Sequence, residues 1–108
     1  MIEVEKNIIS IDGEKISFSH NIERVLEFDN IYIVHLMEDN IPNNNIIAID
    51  REGNIVWKIS DVIRLQYAES YISLSKENNK EISVISYNGI KNVIDIYSKC
   101  IVEKHITK

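Results

Sequence analysis

The chain has 108 residues, 44% hydrophobic and 27% charged, with three Gly, one Pro and one Cys. That is enough for a single globular core without staples; it leaves no stretch for a flexible linker, and the lone Cys100 does not fit the disulfide framework of a small secreted domain. A formal net charge of −5 at pH 7 argues against a nucleic-acid surface, which needs clustered Lys and Arg. Residues 1–15 mix charges with isolated apolar residues, and no apolar run approaches the ~18 residues of a membrane span, so a soluble cytoplasmic protein that binds neither nucleic acid nor membrane is expected.

In chain order, short runs dense in Ile and Val are each cut off by a turn dipeptide. Residues 8–11 and 15–18 flank Asp12 and Gly13, the kind of pair that tolerates positive φ in a two-residue hairpin. Over residues 21–28, Ile22, Val25 and Leu26 keep helical spacing behind Asn21, yet 25–28 also reads as a strand ending at Asp29 and Asn30; the strand is favoured for the second half. The runs 31–37 and 46–49 are nearly continuous rather than alternating, which implies strands covered on both faces at the centre of the sheet. Between them, residues 38–45 hold Pro42, three consecutive Asn and two acids, a long exposed loop.

Residues 50–54 turn the chain into 55–59, where alternation puts Ile55, Trp57 and Ile59 on one face, with Trp57 as a core anchor. Residues 60–67 form the best helix candidate, one or two turns capped by Ser60 with Asp61 near its positive end. Strands follow at 71–75, 81–87, 90–97 and 101–106, with a turn at Asn88 and Gly89 and another at 98–100. The expected architecture is mainly β: one domain spanning 1–108, an antiparallel meander of about eight or nine short strands curled into a half-barrel or sandwich with at most one short helix.

Catalytic constellations are sparse. His20, His35 and His105 keep no metal-ligand spacing; His35 lies inside an apolar run and reads as a satisfied core or strand-edge histidine, while the other two read as surface residues. Pairing Cys100 with His105 lacks a third, orienting group, and the three glycines are each spent on a turn rather than on a phosphate loop. Glu23 and Glu27 with Arg24 between them read as a solvated face. No catalytic residue, cofactor or metal is therefore expected. Charge is uneven, however: residues 1–70 hold 13 acids against 6 bases, residues 71–108 hold 4 against 6. An acidic face draws cationic partners.

The string NIIAIDREGNIVWKI at 45–59, preceded by VLEFDNIYIVHL and followed by VISYNGIKNVIDIYSKCIV, resembles small bacterial all-β proteins that include immunity proteins of contact-dependent growth inhibition. The resemblance covers most of the chain through strand-and-turn patterns, and it implies a monomer that binds a cognate toxin domain one-to-one and occludes its active site. Many such toxins are nucleases, whose clefts are positive to hold phosphate, so an acidic inhibitor competes for the cleft. The expected contacts are the acids Glu23, Glu27, Asp29, Glu38, Asp39, Glu52, Asp61 and Glu69, with Tyr67 and Tyr71 as anchors. Two other readings stay open: an assembly subunit that pairs through an exposed edge strand, and a small-ligand module using the mouth of the curled sheet.

Overall fold

Turn chemistry decides where these strands end. The computed structural model describes residues 2–37, 45–63, 71–87 and 89–106. Strands β1 (Ile2–Glu5), β2 (Ile8–Ile11) and β3 (Glu14–Ser17) form a three-stranded antiparallel sheet in that order. Asp12 and Gly13 carry φ of 49° and 90°, the doubly left-handed conformation whose twist matches the flanking strands, so Ile11 pairs directly with Glu14. The expected hairpin is there. Strand β1 is an addition to it, entered through Lys6 at φ 56° with no glycine to announce the turn.

The central sheet runs β4 (Ile22–Glu27), β5 (Tyr32–Leu36), β6 (Ile46–Ile49) and β7 (Ile55–Lys58), each antiparallel to its neighbour. A strand conformation extends through the whole of Ile22–Glu27, including the half that carries helical spacing. Every residue of β5 and β6 is buried, as their unbroken apolar runs require. Alternate side chains serve two separate cores. Ile33, Ile46 and Ala48 point one way, into a cluster with Trp57 and with Tyr71, Leu74, Ile82, Val84, Ile94 and Ile96; Tyr32, Val34, Leu36, Ile47 and Ile49 point the other way, against Ile9 and Ile11 of the three-stranded sheet.

The third sheet, ordered β11-β10-β9-β8, comprises β8 (Tyr71–Lys76), β9 (Glu81–Ser86), β10 (Ile90–Asp95) and β11 (Cys100–Ile106). Mainly β with antiparallel pairing is therefore the fold class. It comprises three open sheets and eleven strands among the described residues, rather than one sheet of eight or nine strands. Side-chain bonds at both edges of the central sheet help set how the third sheet lies on it: Arg24 of β4 donates to the Leu74 carbonyl of β8 at 2.8 Å, and the Trp57 indole of β7 donates to the Ile96 carbonyl after β10 at 3.0 Å. The sheet thus spans from β4 to β7, and β11 projects beyond it, with residues 100–105 all exposed.

Two local expectations change. Ile55 does not share a face with Trp57 but is 55% exposed, because a bulge opposite Ala48 and Ile49 breaks the alternation of β7 and turns Ile55 toward the other side of the sheet. The helix α1 (Ile59–Val62) begins one residue earlier than Ser60; Lys58 is its cap position, and the Asp61 carboxylate accepts the Lys58 N–H at 3.0 Å. Residues 64–67 of the expected helix, residues 38–44 of the expected loop and Asn88 lie outside the described residues.

Candidate partner-binding surface

The register of the central sheet gathers the expected contact residues unequally. Glu27 pairs with Tyr32, and Tyr32 pairs with Ile49 on its other side, so the β4–β5 turn carrying Asp29 and the β6–β7 turn carrying Glu52 emerge at the same end. The third sheet brings two more connections there. Tyr97, in the β10–β11 turn, donates its hydroxyl to the Asp29 carbonyl at 2.7 Å, while Lys76 at the end of β8 donates to the Glu27 carbonyl at 3.1 Å and lies 4.4 Å from the centre of the Phe28 ring. Glu27, Asp29 and Glu52 are all exposed at this four-turn end.

Not every carboxylate here is available to a partner. Asp50 Oδ1 accepts the backbone N–H groups of Glu52 and Asn54 at 2.9 Å each, and Asp95 Oδ1 accepts those of Tyr97 and Ser98 at 3.0 Å each. Both carboxyls are held below the usual aspartate range, Asp50 chiefly by the Asn54 backbone and Asp95 chiefly by the Ser98 backbone. Their charge adds to the field of this end, but their oxygens are committed to closing turns.

Glu23 lies elsewhere, and a second bulge explains its setting. Ile22 pairs with Leu36 and Arg24 with His35, leaving Glu23 as the extra residue of β4. Its side chain, 53% exposed, sits 3.5 Å from Nδ1 of the buried His35. On the facing strand Ile72 is likewise an extra residue between Tyr71 and Ser73. The two bulges line an open cavity of about 260 Å³ with Arg24, His35, Ser73 and Leu74.

His35 is 2% exposed, and its Nε2 lies 3.0 Å from the Tyr71 carbonyl. A carbonyl only accepts, so this nitrogen carries the proton. The ring is a satisfied core histidine that ties the central sheet to β8, as the apolar run around it suggested. Asn45 does the same work beside it: its amide accepts the Tyr71 N–H at 3.0 Å and donates to the carbonyls of Tyr71 and Leu36 at 2.8 and 3.3 Å. A side chain thereby stands in for a paired strand.

Tyr71 corrects one expectation. It is 1% exposed within the core between the central and third sheets, and so offers no anchor to a partner; it opens the strand expected at 71–75 with its side chain turned inward. Asp61 is exposed but engaged as the cap of α1, at the opposite end of β7 from Glu52. Glu38, Asp39, Tyr67 and Glu69 lie outside the described residues. Tyr97, the last residue of the strand expected at 90–97, is 44% exposed in the turn after β10 and beside Asp29; no local motif marks it, because its neighbour is 68 residues away in the chain.

Among the described residues no group of three or more His, Cys, Asp or Glu is placed to hold a metal ion, and no helix is long and apolar enough to cross a membrane. A family model described as a domain of unknown function, DUF7957, matches residues 1–105, and the chain belongs to that family. No curated protein matches it.

Proposed function

We propose that this member of the DUF7957 family is an inhibitory binding protein: it engages a cationic toxin domain in the cytosol, occludes that domain's active site, and performs no turnover of its own. The observation that carries the reading is the convergence of Glu27, Asp29 and Glu52 on one end of the central sheet, on a frame whose turns are locked by Asp50 and Asp95. A preorganised negative surface speeds encounter with a positive cleft and spends little entropy on docking. A nuclease is the favoured target, since such an enzyme must present positive charge to phosphate. The test is to identify the gene immediately upstream, express the C-terminal domain of any large secreted protein it encodes, and measure co-purification and inhibition with Glu27→Lys, Asp29→Lys and Glu52→Lys singly and together. Binding that weakens with each reversal and with added salt supports the proposal; reversals that change neither affinity nor salt dependence overturn its electrostatic basis.

A second reading draws on β11, which is exposed over 100–105 and, among the described residues, pairs with β10 alone. Such an edge is a template for another strand, and light scattering of the isolated chain distinguishes a self-assembling subunit from a monomer.

A further inference from the structure

At the four-turn end, one aromatic side chain is both open and held still. The Tyr97 hydroxyl bonds to the Asp29 carbonyl at 2.7 Å, which fixes the ring across the gap between the third sheet and the β4–β5 turn, and 44% of the residue remains open. Its surroundings are negative. Burial first, and then the charge of Asp29, push the phenol above its ordinary range; burial opposes any charge, but the carboxylate's part of the effect favours a cation on the same ring. Asp95 also faces Tyr97, but Lys80 stands against Asp95, so Asp29 is the acid left to pair. The same end already shows a cation over an aromatic ring, with the Lys76 ammonium 4.4 Å from the centre of Phe28.

We infer that Tyr97 and Asp29 together form a receiving site for one arginine side chain of a basic protein partner, the guanidinium lying on the ring while the Asp29 carboxylate accepts its N–H groups. Arginine fits better than lysine because its plane stacks on the ring, its fork matches a carboxylate, and its charge is less tightly hydrated. A locked tyrosine loses little rotamer freedom on binding, the property that makes such residues interface anchors. The inference names the anchor of the proposed acidic surface and rests on that reading for the nature of the partner.

The test uses the full chain with tetra-arginine and tetra-lysine peptides as probes, titrated at low ionic strength and followed by the ring resonances of tyrosine. Tetra-arginine should bind saturably and more tightly than tetra-lysine. Tyr97→Ala and Asp29→Asn should each weaken tetra-arginine about tenfold, a factor equivalent to ~1.4 kcal/mol, while Tyr97→Phe, which keeps the ring but loses the bond that holds it, should weaken it by less than Tyr97→Ala. Tyr87→Ala, which alters an open tyrosine on a different turn, should bind as the parent does. If Tyr97→Ala proves misfolded by circular dichroism, Asp29→Asn and the arginine-to-lysine ratio still decide. Equal affinity for the two peptides, or unchanged tetra-arginine binding in Tyr97→Ala or Asp29→Asn, overturns the inference. A chain that binds no toxin domain yet selects tetra-arginine through Tyr97 would instead remove the proposed function and leave this site standing.

Discussion

Gly13 and Gly53 both hold φ near +90°, at 90° and 88°, but their surroundings differ. A Cβ on Gly13 would meet nothing within 4 Å, whereas one on Gly53 would come 2.6 Å from Cγ1 of Ile16, where the three-stranded sheet leans on the β6–β7 turn. Gly13→Ala should therefore cost roughly 1 kcal/mol through its left-handed backbone alone, and Gly53→Ala roughly 2–4 kcal/mol with the clash added, as urea unfolding of the two variants would measure. The two turn-closing aspartates make a different prediction. Their folded-state values lie below the ordinary 3.8, so the stability they lend is complete above that value and lost as pH falls through the lower folded one. Replacing both by Asn, which keeps an acceptor without the charge, should flatten the acid limb of a stability-versus-pH curve; an unchanged limb would place the acid sensitivity elsewhere. The dipeptide Asp12-Gly13 was legible in sequence because two residues complete its geometry. The Gly53 contact was not, because Ile16 approaches it from 37 positions earlier in the chain.

Among the elements, β5 and β6 were the most readable, since a strand enclosed on two sides has no polar face to show and its sequence says so. The seam between β5 and β8 was hidden. It depends on Asn45, which closes an Asn-rich stretch that looks like solvent-exposed loop, and on His35, whose partner is a backbone carbonyl and leaves no trace in side-chain pattern. Asn45→Ala would remove three buried hydrogen bonds to the Leu36 and Tyr71 backbone, although the Tyr71 carbonyl keeps His35, and should destabilise the fold by roughly 2–4 kcal/mol, with Asn45→Asp no better because it sets an oxygen against two carbonyls; chemical denaturation would measure both. The bulges are the other unreadable feature. They put Glu23 beside His35 and turned Ile55 outward, and each is a one-residue slip that period-two counting cannot foresee. For the same reason the acids fell into place only in part. Their number was visible at once, but their sharing of one end follows from strand register.

At the scale of the whole molecule, two cores use one sheet. Removing side chains from either should therefore act on a single transition. Ile11→Ala, in the cluster beneath the three-stranded sheet, and Ile82→Ala, in the cluster beneath the third sheet, should each cost about 2–5 kcal/mol and shift one common calorimetric peak. A resolved second peak in either variant would show that the layers melt separately. Under the proposed function, binding through the four-turn end should weaken with added salt, since Glu27, Asp29 and Glu52 there are solvent-facing. A longer-term consequence follows from the enclosure of β5 and β6. With Tyr32–Leu36 and Ile46–Ile49 shut in from both sides, a new polar side chain along either should be costly, whereas Glu27, Asp29 and Glu52 stand exposed at the four-turn end. The exposed positions of that end can therefore change without disturbing the enclosed strands, which keeps whatever the surface does separate from what holds the fold together.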